Sequence, residues 1–367
     1  MAEWLEKRRK EAERAFNDLP VLELKYGIGI EIDTSSLMLD EDRQCHSELT
    51  ISEDENIEVI TWEKAIGLKE SKELFFSTIS PKKKLFYYHV MNVRNGALIR
   101  VKKKCSVKTP VTITTLLKGR SHDHLLIICE EGSSAQFIEM ITGSPELYSR
   151  SVEVFVHEGA KATYSTVQDM KDGAFLSWKT ATVMKDASFT WVDCILGSSL
   201  VHSNTRSILA GPGAMSNNHG LYCSSKSQQF DLGLDAVHAA PDTASDIKLK
   251  GALLDKSKAL FRGLVEMQPP AARSNGYQKS DALILSDDAK ADAIPNLEIN
   301  TDEVKCSHGA TIGKVSEEME YYLMSRGIDK ATVTRMIVQG FFEQIIAEVP
   351  GKDEQELIKN LIERKVQ

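Results

Sequence analysis

From about residue 130 to residue 216 the chain repeats one order of polar and apolar positions every 27 residues: Gly132, Gly159, Asp186 and Gly213 fall at equal intervals. Ala160, Ala187 and Ala214 follow their markers directly, and the segments EEGSSAQFIEM, HEGAKATYSTV, MKDASFTWVDC and GPGAMSNNHGL read as a corner, a small residue and an apolar/polar alternation. A fixed period in the range of about 20–50 residues marks a stacked solenoid. Glycine supplies positive φ at a corner, and Asp is among the few other residues that tolerate it. The unit therefore predicts strand–corner–strand, one rung of a β-helix, which cannot close its own core and must stack.

Outside the repeat the pattern divides the chain into three regions. Residues 1–83 are mixed, with a helix expected over Glu3–Leu19 and ended by Pro20. Residues 84–313 alternate in strand fashion, broken by short Gly, Asp, Asn and Ser corners with no long helical pattern. LFYYHVMNV and the CSVKTPVTITTLL run read as apolar strand-like stretches, flanked by Lys82–Lys84 and Lys102–Lys104 as guards of strand edges. The period loosens after Gly213, where CSSKSQQFDLGLDAVHAAPDTASD reads as a longer polar excursion. From Ser316 to the end (314–367) the period becomes helical, with a stop at Gly327 and an N-cap at Asp329. Val333, Met336, Ile337, Phe341, Ile345 and Val349 then recur at three- and four-residue spacing on one face. Pro350–Gly351 ends that helix and Asp353–Val366 forms another. Such helices can cap the last rung or offer an apolar face to a partner.

Composition narrows the functional classes. A net charge of −8 argues against a dedicated nucleic-acid or anionic-membrane binder. MAEWLEKRRKEAERAF is charged and amphipathic and lacks the apolar stretch of an export signal. With six scattered cysteines and no CxxC, a reduced cytoplasmic protein without a disulfide framework is expected. GATIGKV at 309–315 has one residue too few between its glycines for a phosphate loop, and Val315 where Ser or Thr must reach magnesium, so no nucleotide site is expected. GPGAMSNN at 211–218 sits on the repeat and reads as a corner. His122 and His124 lie in a polar, turn-like segment that favours a solvated loop; His219 and His238 read as surface histidines. Cys129, Cys194 and Cys223 occupy strand positions where a free thiol packs as a small hydrophobe.

Val304–Thr311 differs. In an extended strand Cys306 and His308 point to one face, roughly 7 Å apart. A thiolate and an imidazole so placed can bind iron or an iron–sulfur unit, although two ligands cannot hold a cluster alone. By residue chemistry a structural role stands beside this functional one.

KCSHGATIG followed by EEMEYYLMSRGIDKATVTRMIVQGFFEQII resembles the C-terminal half of the SufB/SufD family of iron–sulfur cluster assembly proteins. AAPDTASDIKLKGALLDKSKALFRG and AARSNGYQKSDALIL are similar to the same family, so the resemblance runs from about 85 to 350. It implies a right-handed parallel β-helix whose C-terminal helices dock on the ABC-type ATPase SufC; the apolar stripe of Val333, Met336, Ile337, Phe341 and Ile345 is the candidate for that contact. It also implies a role for Cys306 and His308 in holding a transient iron–sulfur cluster, in a chain with no catalytic site of its own. His308 in CSHGAT resembles a SufD histidine at the SufB–SufD interface; the SufB pattern has Glu at the place of Gly309 and a cysteine near Ala289, and this chain has neither. YSTVQD at 164–169 and NGYQKSDALIL look more like SufB. The mosaic is similar to a minimal-system, SmsB-type homodimer that pairs with SmsC. A SufD-like structural partner without ligands is the alternative, with a carbohydrate-active β-helix enzyme a distant third, since no recurring acidic set lines the strands.

Overall fold

The computed structural model describes residues 2–20, 24–25, 29–35, 37–39, 47–79 and 84–366. Cys45, Lys82 and Lys83 lie outside them. The chain opens with α1 (Glu3–Asp18), the antiparallel pair β1 (Leu24–Lys25) and β2 (Glu31–Ile32), β3 (Ser47–Ile51), β4 (Ile57–Thr61) and three helices, α2 (Trp62–Ala65), α3 (Lys69–Leu74) and α4 (Lys84–Asn92). The solenoid follows: β5 (Asn95–Val101), β6 (Val111–Cys129), β7 (Ser134–Val156), β8 (Lys161–Met170), β9 (Ala174–Val183), β10 (Ser188–Ile195), β11 (Leu200–Leu209) and β12 (Met215–Ser224). It continues through β13 (Gln229–His238), β14 (Ala244–Leu253), β15 (Lys258–Met267), β16 (Asn275–Ile284), β17 (Lys290–Ile299) and β18 (Lys305–Lys314), and ends in α5 (Glu317–Met324), α6 (Lys330–Ile346) and α7 (Lys352–Lys365).

From β7 onward the strands alternate between two parallel sheets. The first half of β7 pairs with β8 and starts the sheet β8-β10-β12-β14-β16-β18; its second half pairs with β9 and starts β9-β11-β13-β15-β17. These are called the first and second sheet below. The result is a parallel β-solenoid of about eight turns with helices at both termini. First-sheet strands begin at intervals of 27, 27, 27, 29, 31 and 30 residues, so the strict period is the short-cornered part of a longer stack.

The corners show why the period exists. Gly132, Gly159, Asp186 and Gly213 all have positive φ (65°, 67°, 54° and 72°). Each donates its backbone N–H to a carbonyl in the corner one turn on: Glu158, Lys185, Pro212 and Pro241, at 2.9–3.3 Å. The ladder thus continues around the bend, and Asp242 and Arg273 extend the same edge at φ 59° and 61°. The following Ala160, Ala187 and Ala214 are fully buried at the inner bend.

Two stretches depart from the sequence reading. LFYYHVMNV lies in α4, not in a strand: all of it but Tyr87 is buried, and a helix covered all round shows no polar face to reveal its period. The expected polar excursion after Gly213 contains β13, a complete rung. Phe230, Leu232, Leu234 and Ala236 face inward between the outward Asp231, Gly233 and Asp235, a two-residue alternation masked by its charged half.

The interior changes along the stack. Early turns bury the Arg150–Glu139 and Lys179–Asp193 pairs, with Tyr164 Oη donating to Glu139 (2.9 Å) and Thr205 Oγ1 to Asp193 (2.9 Å). Later turns are filled by Phe230, Phe261, Val265 and Met267. Outside, the N-terminal segment covers the second sheet through Trp62, Phe75, Phe86 and Tyr88 against Leu126, Leu176 and Trp178. Helices α6 and α7 cover the first sheet.

Candidate functional site

Cys306 and His308 lie on β18, the last strand of the first sheet. Parallel pairing with β16 sets Cys306 beside Gly276 and His308 beside Gln278, both buried and facing inward. The two residues therefore end two inner columns, Ser216–Ser245–Gly276–Cys306 and Asn218–Ile247–Gln278–His308. Among the described residues no strand pairs with the far edge of β18, so Cys306 is half-buried and His308 exposed although both continue the inner face. The sulfur has a seat made by a missing side chain. A β-carbon on Gly276 would lie 3.4 Å from Cys306 Sγ, and only 2.7 Å from Val265 Cγ1 and 2.8 Å from Met267 Cε. Partial burial pushes the Cys306 thiol up, so the thiolate needs a cation or metal to stabilise it. Among the described residues no three His, Cys, Asp or Glu side chains are grouped to hold a metal ion, so further ligands for a cluster would have to come from a second chain.

The remaining cysteines have different surroundings. Cys129, Cys194 and Cys223 are fully buried, and burial pushes their thiols up, Cys129 to about 12 and Cys223 to about 11. They pack as hydrophobes. Cys105 is free and half-buried.

The histidines correct the sequence reading. His122 and His124 are buried on the outer face of β6, not solvated in a loop, because the N-terminal segment folds over them. His122 Nδ1 and His89 Nδ1 both meet Ser149 Oγ, at 2.6 and 2.8 Å. His124 Nε2 meets Glu153 Oε2 at 3.0 Å, and Glu153 also accepts from the backbone N–H groups of Phe76 (2.5 Å) and Thr78 (2.8 Å). Burial holds His89 well below the ordinary histidine value and lowers His124, so these two work as neutral hydrogen-bonding groups that help fasten the N-terminal segment. No local signal revealed this, since the covering residues are remote in sequence. His238 is also buried, between Thr243 and Ser245, and burial pushes it down to about 4. His219 is buried against Glu348, in the turn after α6, and Asp246 of β14.

The helical stripe divides between two surroundings. Val333 and Ile345 are fully buried, and Ile345 packs with Val338, Phe342, Ile346 and Val349 against Val167, Val192, Cys194 and Leu221 of the first sheet. Those two residues cannot meet a partner while α6 stays docked: an apolar stripe is satisfied first by the chain's own sheet. Phe341 and Ile337 are half-buried, with Lys250 Nζ 5.0 Å above the Phe341 ring. Met336 is exposed, as are Tyr321, Tyr322 and Met324 of α5, which the stripe did not include.

A parallel two-sheet solenoid, sheathed by its terminal helices and ending in an open rung with a thiol and an imidazole, defines the class of molecule. Residues 112–341 match the family described as "SUF system FeS cluster assembly, SufBD core domain", and the chain belongs to this SufB/SufD family. It is 32% identical over 356 residues to an iron-sulfur cluster assembly SufBD family protein of Staphylococcus saprophyticus, covering 93% of this chain and 75% of that one. Proteins of the same description from Staphylococcus epidermidis and Staphylococcus aureus strain MRSA252 are 32% identical over 297 residues, covering 77% of this chain. Of these two relatives the match spans 64%, just under two thirds of their length. Among the described residues no helix is long and apolar enough to cross a membrane.

Proposed function

We propose that this chain is a cytoplasmic scaffold subunit on which an iron–sulfur cluster, the cargo, is assembled between its terminal rung and that of a second SufB/SufD-family chain. Membership in a cluster-assembly family supports the general role. The observation that carries the finer reading is the terminal rung itself, where Cys306 and His308 share one inner face at an open strand edge. Thiolate and imidazole suit iron. Two such edges brought together offer two thiols and two imidazoles, four ligands of which one chain supplies only two. An unpaired parallel edge also needs covering. Ile299 of β17 and Ile312 of β18, both exposed inward-column residues, add apolar area to that end of the stack.

In the same reading a SufC-like or SmsC-like ABC-type ATPase docks on the C-terminal region 314–367, holds the nucleotide that this chain does not, and drives opening or closing of the paired solenoids. Its contact is the exposed surface of Tyr321, Tyr322, Met324 and Met336, with Ile337 and Phe341 at the margin. Tyr321→Asp with Met336→Asp is expected to abolish co-purification with the ATPase while leaving the β-rich circular dichroism unchanged. An undiminished complex would place the contact elsewhere.

The site itself is tested by reconstitution. A Cys306→Ser, His308→Ala double variant should fold normally, since both residues lie at the open end, and should fail to retain iron and sulfide by visible absorbance. Full retention would leave a structural partner without ligands of its own.

A further inference from the structure

Gln278 is fully buried, and neither its amide oxygen nor its amide nitrogen has a hydrogen-bond partner among the described residues. A buried amide left unmet is less favourable than an apolar side chain of the same size, so its presence inside an apolar stretch needs a reason. The slot is purpose-shaped: a β-carbon on Gly263, across the interior on β15, would lie 2.5 Å from Gln278 Cδ and Nε2 and 2.6 Å from Oε1. One turn back in its own column stands the apolar Ile247; one turn forward stands His308, in register on the neighbouring strand about 4.8 Å away. Along the inner face, Ser280 lies two residues further on β16 and His308 in register on β18; Ser245 and Cys306 stand diagonally, and Ser245 already bonds His238.

We propose that Gln278 is a positioning residue for His308. When the imidazole turns inward, the Gln278 amide oxygen accepts the hydrogen of one ring nitrogen and leaves the other nitrogen, with its lone pair, facing the open end beside Cys306. This rests on the reading of Cys306 and His308 as the ligand pair. A neutral imidazole binds metal through one nitrogen, and which one is fixed by the hydrogen bond that the other makes. Ligand orientation by a neutral amide also adds no charge to the end of the stack.

The test uses the full chain without metal. Long-range nitrogen–proton correlation of the imidazole rings at mildly alkaline pH, with His308→Ala to assign the signal, reports the His308 tautomer. In the parent one tautomer dominates; in Gln278→Met the ratio falls to the mixture of a free histidine, while Gln278→Glu, which still accepts a hydrogen bond, restores a single tautomer. Gln278→Met, whose apolar side chain fills the same slot, should fold as the parent does, yet bind ferrous iron with sulfide about tenfold more weakly or worse. An unchanged tautomer ratio in a folded Gln278→Met variant overturns the proposal and returns the amide to Ser280. If instead the Cys306→Ser, His308→Ala variant keeps its cluster, the ligand reading falls, and the tautomer ratio still decides whether Gln278 positions His308.

Discussion

Glycine meets two separate demands at the corners of this solenoid, and two positions tell them apart. Gly159 has φ +67° with nothing within 4 Å of where a β-carbon would stand. Gly173 has φ +78°, and its β-carbon would lie 2.0 Å from the Pro145 carbonyl oxygen. Gly159→Ala therefore costs the left-handed backbone term alone, about 1–2 kcal/mol. Gly173→Ala adds the displacement of a neighbouring turn, for a total of about 2–5 kcal/mol. Urea unfolding of the two variants should separate them, and equal midpoints would mean that the stack yields at Gly173. The Gly159 corner was legible in the sequence because its residue types repeat. The opposite corner was not: Ser198, Lys226 and Asp255 take φ of 72°, 54° and 54° with no shared residue type, held by neighbours such as Asp255, which accepts from the Lys226 N–H at 2.7 Å. The same contrast holds at the site. That Cys306 and His308 share a face follows from their spacing, whereas their alignment with Gly276 and Gln278 depends on a pairing 30 residues away that alternation alone cannot fix.

Among whole elements, α6 was legible as a helix and as amphipathic, with Asp329 capping it through Thr332 N–H as the sequence suggested. Its destination was not legible, because a stripe looks the same against the chain's own sheet or a partner's. Part of what holds it is titratable. Burial would lower His219, but the carboxylates of Asp246 and Glu348 outweigh it and raise the imidazole above the ordinary histidine value. A raised folded value stabilises fully below the unfolded value of about 6.5 and is lost as pH rises through the folded one. Docking of α6 should thus loosen as pH rises above the ordinary histidine value. Hydrogen exchange of the 338–349 amides, corrected for intrinsic rates, should quicken as pH rises above about 6.5 in the parent and not in His219→Gln. Identical behaviour in both would remove His219 from the latch. Helix α4 failed for the opposite reason, being too well covered to carry a visible period.

Across the whole molecule, two sheets are sheathed on their outer faces, the second by the N-terminal segment and the first by the C-terminal helices, while the last turn is left bare. The proposed pairing through that bare end, in a complex with the proposed ATPase, makes a specific demand on Ile299 and Ile312. Ile299→Asp with Ile312→Asp should shift the particle mass, measured in solution with the ATPase present, from a two-solenoid to a one-solenoid assembly. Retention of the larger mass would show pairing by another surface.

The N-terminal segment also reaches the late turns: Ile30 N–H donates to Asp292 on β17 at 2.6 Å, and Asp33 N–H to Gln229 on β13 at 2.9 Å. The first of these contacts joins residues 262 positions apart. At synthesis rates of about 5–20 residues per second, the Ile30 amide emerges roughly 13–50 s before its carboxylate exists. Biogenesis is therefore ordered in time: early turns can stack as they appear, but the strap across the late turns closes only once β17 has been made. A nascent chain stalled before β17 would carry that segment unattached at its Asp292 end, so on the N-terminal side the late turns are secured after the early ones.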